Sequence, residues 1–256
     1  MTEISKINLS RFLSPVLFFI LWYAVAAIMQ APLILPYPHD VIVKIISRAQ
    51  TALFWKSFAC TFLRVIYAFL ISLVLGFFTG LLSADFPLIK AILEFPIGII
   101  RITPIIACIL FALFWFKSSM VPVFAAVLMA LPVIISAGEK GFEKNPENID
   151  KLFKASCYGF TGFRAFRYIR LPAAMPSLLA GAESAFGLCW KVVAAGEVLS
   201  LPRFAAGTLM QKAQVHLETS DVIAITTMLV LFSMFCQFVM KIMLKKISSK
   251  NPEKAL

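Results

Sequence analysis

Charged side chains stand inside apolar stretches of this sequence, where they could contact an ion or a small polar solute. The clearest group is Glu183, Lys191 and Glu197, which share one stretch. In a helix Glu183 and Glu197 lie within about 40° of each other, and Lys191 lies about 80° from Glu183. Because ionisable groups in a membrane usually face the protein interior or water, this spacing predicts that they line a translocation path. An internal ion-pair network, or contact of Glu197 with the outer membrane interface, is the alternative.

Arg101 is a further candidate for this path, because it stands between two prolines. Pro96 and Pro104 interrupt the same apolar stretch, and broken helical backbone at membrane depth is tolerated where it lines a cavity. A guanidinium there could attract an anionic solute or form an ion pair with an acid on a neighbouring helix. Glu94 lies on the same helical face but about 10 Å along the axis of a continuous helix, so direct pairing requires a kink.

The sequence contains few residues of the types that catalyse reactions or bind metal ions. It contains two histidines and five cysteines, and the cysteines are scattered without a C-x-x-C pair. No G-x-x-x-x-G-K-[ST] phosphate loop occurs, so we expect ATP to bind to a partner. The net charge of +11 reflects basic residues beside apolar stretches, as in membrane loops, and does not indicate nucleic-acid binding. We therefore expect no catalytic residue, metal site or cofactor in this chain, and a membrane enzyme is disfavoured.

Six apolar stretches must position the charged side chains. The chain is 61% hydrophobic with a mean hydropathy of +0.90, and its stretches approach the roughly 20 residues that a helix needs to cross a bilayer. The sequence predicts an all-α integral membrane protein with one domain, residues 1–256, and six transmembrane helices. In the second span Gly76 and Gly80 permit close approach of another helix. The predicted spans cover about residues 15–29, 59–83, 89–116, 120–137, 173–199 and 222–244.

A polar and basic segment, residues 138–172, separates the fourth and fifth spans. Asn145-Pro146-Glu147 is typical of a helix start, with a capping side chain, a proline that needs no amide partner and an acid at the positive helix end. Gly159 is a natural residue just after a helix, and a second short helix would end where Pro172 starts the fifth span. The basic residues here and in the C-terminal tail place this segment and both termini in the cytoplasm. Two short amphipathic helices there predict a docking surface.

In this segment the sequence resembles the permease subunits of bacterial ABC importers, whose signature has the form E-A-A-x3-G-x9-I-x-L-P. The glycine and isoleucine of the pattern have the required separation of nine intervening residues. The matching residues are Ala155, Gly159, Ile169, Leu171 and Pro172. The chain departs from the signature at Phe153, where glutamate is usual, and at Lys154, where the first alanine is usual. These departures remove the contacts of the glutamate and leave the backbone pattern intact.

The resemblance implies a type I ABC importer permease fold, in which residues 138–172 carry a coupling helix that sits in a groove of a cytoplasmic ATPase. It also implies a permease homodimer, two ATPase subunits that hold ATP and Mg²⁺, an extracytoplasmic solute-binding protein and a multi-pass location in the bacterial inner membrane. Leu35-Pro36-Tyr37-Pro38 and the stretch Lys191–Glu197 are most similar to the nitrate, sulfonate and taurine group. The solute would then be a sulfonate, nitrate or a vitamin precursor. A stand-alone secondary transporter or channel is the alternative function, and an inert connector is the alternative for residues 138–172.

Overall fold

The computed structural model describes residues 3–143 and 162–249, and every regular element in these two ranges is a helix. The first range contains α1 (Glu3–Met29), α2 (Pro38–Ala49), α3 (Ala52–Asp85), α4 (Pro87–Ile102), α5 (Ile105–Trp115) and α6 (Val121–Phe142). The second contains α7 (Gly162–Ala165), a π-helical turn (Phe166–Arg170), α8 (Leu171–Ser200), α9 (Ala206–Val215) and α10 (Thr219–Ser249). The predicted all-α class is confirmed.

The described chain has four or five candidate membrane spans, fewer than the six predicted. Four helical segments are long and apolar enough to cross a bilayer alone: α3, α6, Gly162–Ser200 and Thr219–Lys246. The predicted third span, 89–116, is a pair of helices, α4 and α5, with a bend of 103° between them. Pro104 explains the break, because the residue before a proline avoids helical geometry. In α1 the apolar part is Val16–Met29, shorter than the roughly 20 residues of a span.

The centre of the bundle is made by α6, which packs against α3 and α8 through small residues. A methyl group added at Gly80 would lie 2.8 Å from the Ile135 carbonyl oxygen, and one at Gly76 would lie 2.7 Å from the Ile134 side chain. On the other side of α6, a methyl group at Gly181 would lie 2.3 Å from Ala137 Cβ. The predicted close approach at Gly76 and Gly80 is therefore confirmed, since only a missing side chain allows these backbone distances.

The region between the first two predicted spans contains α2, which docks onto the start of α10. Arg48 Nε donates a hydrogen bond to Asp221 Oδ1 at 2.8 Å, and Arg48 Nη2 donates another to Asp221 Oδ2. The Asp221 carboxylate has no exposed surface, and its hydrogen bond raises the pKa of Arg48 above its ordinary value. Lys44 Nζ lies 3.4 Å from Glu218 Oε2 beside it. These pairs fix α2 at the end of the bundle where α10 begins.

Candidate functional site

The helices that precede and follow residues 144–161 meet at one site near the end of α3. We call this site the loop junction and define it by four residues: Asp85, Phe142, Phe166 and Arg170. Arg170 donates two hydrogen bonds to Asp85 at the end of α3, of 2.7 Å from Nη2 and 3.1 Å from Nη1. The Arg170 guanidinium lies 5.8 Å from the centre of the Phe142 ring, and the Phe142 and Phe166 rings stack at 6.0 Å. A two-pronged ion pair fixes direction as well as distance. The junction thus holds both flanks of residues 144–161 against α3.

The chain leaves the loop junction through the π-helical turn, which continues directly into α8. Leu171 N–H donates to the carbonyl of Phe166, five residues back. Pro172 follows, and a proline in a helix lacks an N–H and crowds the carbonyl four residues earlier. A wider turn relieves that crowding, and such turns recur at functional sites. The sequence predicted a separate short helix that ends at Pro172, whereas one helical segment runs from Gly162 to Ser200.

The residues of the predicted coupling motif are divided between described and undescribed parts of the chain. Ile169 lies in the π-helical turn, and Leu171 and Pro172 begin α8. The others lie outside the described residues, so the coupling helix that they would form stays a prediction: Phe153, Lys154, Ala155 and Gly159. The Arg170–Asp85 pair was not predicted, because Asp85 lies 85 positions earlier in the sequence.

One face of α8 is exposed and carries small or polar residues. Up to position 191 the exposed residues of this helix are Pro176, Ala180, Ser184 and Lys191, which recur at helical spacing on one side. The exposed face of α10 is different, because it presents large apolar side chains such as Leu231 and Phe235. A large apolar face is compatible with lipid, whereas a lysine in hydrocarbon is costly. The α8 face therefore suits water or protein better than lipid.

A groove of about 590 Å³ runs along this face between α8 and α10. Its polar lining comes from Glu183, Ser184, Lys191 and Gln237. Two of the predicted path residues, Glu183 and Lys191, are thus brought together in one groove. Lys241 Nζ lies 3.5 Å from Glu183 Oε1 and supplies that carboxylate with a counter-ion. No sequence pattern indicated Gln237 in the lining or Lys241 beside Glu183, because both positions depend on how α10 packs on α8.

Glu197 lies apart from this groove, in a buried ion pair. Its side chain has no exposed surface, and Oε1 accepts a hydrogen bond of 2.7 Å from Arg64 Nη1. Oε2 accepts further bonds from the Thr61 hydroxyl at 2.9 Å and from the Gly207 backbone N–H at 3.1 Å. Glu197 therefore belongs to an internal ion-pair network, which was the alternative to a place on the path. Glu197 lies about 20 Å along α8 from Glu183, where its neighbours are α3 and α9 instead of α10. A place on a solute path for these three charges stays a prediction.

Arg101 is exposed near the end of α4, beside the break before α5. Its guanidinium donates to the Ser136 hydroxyl and, at 3.5 Å, to the Pro132 carbonyl of α6. The acid partner considered from the sequence is not found among the described ion pairs. Arg101 therefore helps to tie α4 to α6 through neutral groups, and its predicted place on a solute path stays a prediction.

Comparison with known proteins identifies a family that covers most of the bundle. Residues 72–250 match the family described as the binding-protein-dependent transport system inner membrane component. This range includes the loop junction, the α8–α10 groove and the whole of residues 144–161. The match thus includes every predicted coupling residue and all four predicted path residues.

Individual relatives and solved structures are consistent with that match. The chain is 24% identical to the taurine transport system permease protein of Escherichia coli over 79% of this chain and 75% of the relative. It is 26% identical to the putative aliphatic sulfonates transport permease protein of the same bacterium, over 77% and 73%. The structure resembles a chain of the inward-facing MetNI methionine ABC transporter, with a TM-score of 0.57 and 17% identity over 75% of this chain and 93% of that chain. The last likeness supports the type I importer permease fold.

Proposed function

Because the chain belongs to the family of binding-protein-dependent transport system inner membrane components, we propose that it forms the translocation path of an ATP-driven importer for a small solute. The observation that carries this proposal is the exposed, charged face of α8, which contains Lys191 within a helix long enough to cross a membrane. Exposing such a face to lipid costs free energy, whereas a water-filled path or contact with a second subunit accommodates it. Two copies of the chain, in a homodimer, would enclose the path.

The loop junction supports the proposed coupling to an ATPase. In the sequence, residues 144–161 connect α6 to α7 and the π-helical turn, and the Arg170–Asp85 ion pair joins that turn to the end of α3. A segment fixed at its base can transmit movement to the helices that it joins. In our proposal this segment carries the coupling helix, the ATPase subunits bind ATP and Mg²⁺, and the loop junction passes their closure to α3, α6 and α8.

The proposed orientation and partners follow from the same assignment. The loop junction and both termini would face the cytoplasm of a bacterium, and the end of the bundle that contains α2 would face outward, where a solute-binding protein delivers its cargo. Relatives with similar sequences are named as permeases for taurine, aliphatic sulfonates, nitrate and glycine betaine. We infer that the solute belongs to the same range of small polar compounds and is a sulfonate, nitrate or a vitamin precursor.

Reconstitution tests this function. The chain would be co-expressed with the ATPase and the binding protein encoded beside it, purified, and placed in liposomes. We expect solute uptake that needs ATP and the binding protein, and a complex with two permease copies. An ATPase variant that binds but cannot hydrolyse ATP is the matched control. Uptake that persists without any ATPase would contradict the proposal and favour a stand-alone transporter.

A further inference from the structure

We propose that Lys191 and Gln237 form a contact site for an oxyanion group of the transported solute, within the groove between α8 and α10. The inference rests on the proposed function, since it assumes that solute passes along this face. It adds the group of the solute that is recognised and the two residues that contact it. Carboxylates, sulfonates and nitrate share the required chemistry, which is a compact group of oxygen atoms that carries negative charge.

The charges of the groove favour an anion. Glu183 is the acid in the lining, and Lys241 lies 3.5 Å from its carboxylate. Lys191 is the other charged residue of the lining, and it is exposed within α8. No ion pair with Lys191 is found in the described part of the chain. An ammonium group offers three hydrogen-bond donors and no acceptor, so it favours an anionic ligand.

Gln237 supplies a neutral partner in the same groove. Its amide passes beside Gly187, where a methyl group would lie 3.6 Å from the amide oxygen and 3.8 Å from the amide nitrogen. These are ordinary contact distances, so the Gln237 amide lies against the α8 backbone at Gly187, and both residues line the groove. A side-chain amide donates two hydrogen bonds through its nitrogen, which complements the charge of Lys191. Together they match the oxygen atoms of a small oxyanion.

The lining also argues against a quaternary ammonium group as the feature that is recognised. Proteins hold such cations in cages of aromatic rings, and the groove residues include no aromatic side chain among the described ones. The volume of about 590 Å³ lies within the range of pockets for small molecules, about 300–1,000 Å³. The groove thus has the size for a small solute and the charge for its anionic end.

A labelling experiment on the assembled transporter tests the site without knowledge of the solute. Ser184 is replaced by cysteine in a background without the five native cysteines, because it lines the groove about 10 Å along the helix from Lys191. The rates of modification by an anionic and a cationic methanethiosulfonate reagent are compared at low salt, each relative to a free thiol. We expect the anionic reagent to be favoured. Lys191→Gln should lower that preference about tenfold, and Lys212→Gln, an exposed lysine on α9, should leave it unchanged.

Uptake measurements then test the link to transport. Taurine, ethanesulfonate, nitrate and choline are offered to the reconstituted transporter. We expect uptake of one or more of the first three, with a loss of about tenfold in Lys191→Gln and retention in Lys191→Arg. The proposed site would be overturned if the anionic reagent is not favoured, or if Lys191→Gln does not change the preference. Transport of choline alone, a quaternary ammonium compound without an oxyanion group, would also overturn it and would leave the proposed function intact, whereas failure of the ATPase to assemble would contradict the proposed function.

Discussion

Arg64 and Glu197 form an ion pair in the interior of the bundle, although they are 133 positions apart in the sequence. Arg64 Nη1 lies 2.7 Å from Glu197 Oε1 and 2.9 Å from the Phe204 carbonyl oxygen. Thr61 accepts a hydrogen bond from the Ala206 N–H at 3.0 Å in the same cluster. One carboxylate thereby connects α3, α8 and the start of α9. Because its hydrogen bonds are made by backbone as well as side chains, this cluster fixes how α9 folds back on the bundle.

The first prediction concerns that ion pair. Arg64→Ala should destabilise the protein by about 3 kcal/mol, because it leaves a buried carboxylate without its counter-ion. Thermal unfolding in detergent, followed by exposure of buried cysteines, measures the change. The double variant with Arg64→Met and Glu197→Met should recover much of the loss, since no charge is then left buried. A single variant as stable as the parent protein would show that the pair does not hold α9.

The second prediction concerns the seam between α3 and α6. Gly80→Ala should destabilise the fold by about 1–3 kcal/mol, because its methyl group would lie 2.8 Å from the Ile135 carbonyl oxygen, which is backbone and cannot move aside cheaply. Gly98→Ala is the matched control, since nothing lies within 4 Å of a methyl group there. That control should be neutral or stabilising by up to about 1 kcal/mol through helix propensity. Equal effects of the two changes on the unfolding temperature would refute the close packing.

The third prediction concerns the loop junction. Arg170→Ala should lower solute uptake about tenfold while the protein still inserts and stays folded, because this ion pair is partly exposed, at 21% and 25% of its two side chains, and the loss of its hydrogen bonds costs about 1–3 kcal/mol. Arg170→Lys should be intermediate, since lysine keeps the charge and loses the two-pronged geometry. Arg164→Ala, at an exposed position of α7, is the control and should be silent. If Arg170→Ala transports normally, the loop junction has no part in coupling.

The fourth prediction concerns the contact with the ATPase. Phe153→Ala should abolish uptake and weaken co-purification of the ATPase, because a large aromatic side chain at an interface is worth about 2 kcal/mol or more. Lys151→Ala, expected on the solvated face of the same helix, should be nearly silent. Uptake and the amount of ATPase recovered with a tagged permease measure both variants. Normal ATPase recovery with Phe153→Ala would exclude this residue as an anchor.

The sequence was sufficient for the helical class and for the close approach at Gly76 and Gly80, because hydropathy and small-residue spacing are local signals. It was not sufficient for the partner of Glu197, since helical angle alone relates this residue to Glu183, and the packing of α3 and α9 decides what its carboxylate contacts. The π-helical turn was also missed. A proline in the sequence marks a possible helix start and a distorted continuous helix equally well.

The groove between α8 and α10 was also predicted only in part. Glu183 and Lys191 were found because charge in an apolar stretch is conspicuous. Gln237 was not, because a single amide in α10 has no unusual local context, and its place in the groove depends on how α10 packs against α8. In the described part of the chain four or five helical segments qualify as candidate spans, since α4 and α5 count only as one bent span and the apolar part of α1 is shorter than a span.

Site-specific cross-linking tests the central claim most directly, that this chain is the membrane subunit of an ATP-driven importer. A photoreactive phenylalanine is placed at position 153 or, as a control, at Lys44 on α2, and the transporter is irradiated in native membranes. The account predicts a covalent adduct with the ATPase from position 153 and none from position 44. Two results would contradict the account: an adduct with the ATPase from position 44, or no adduct from position 153 in a membrane that contains the ATPase.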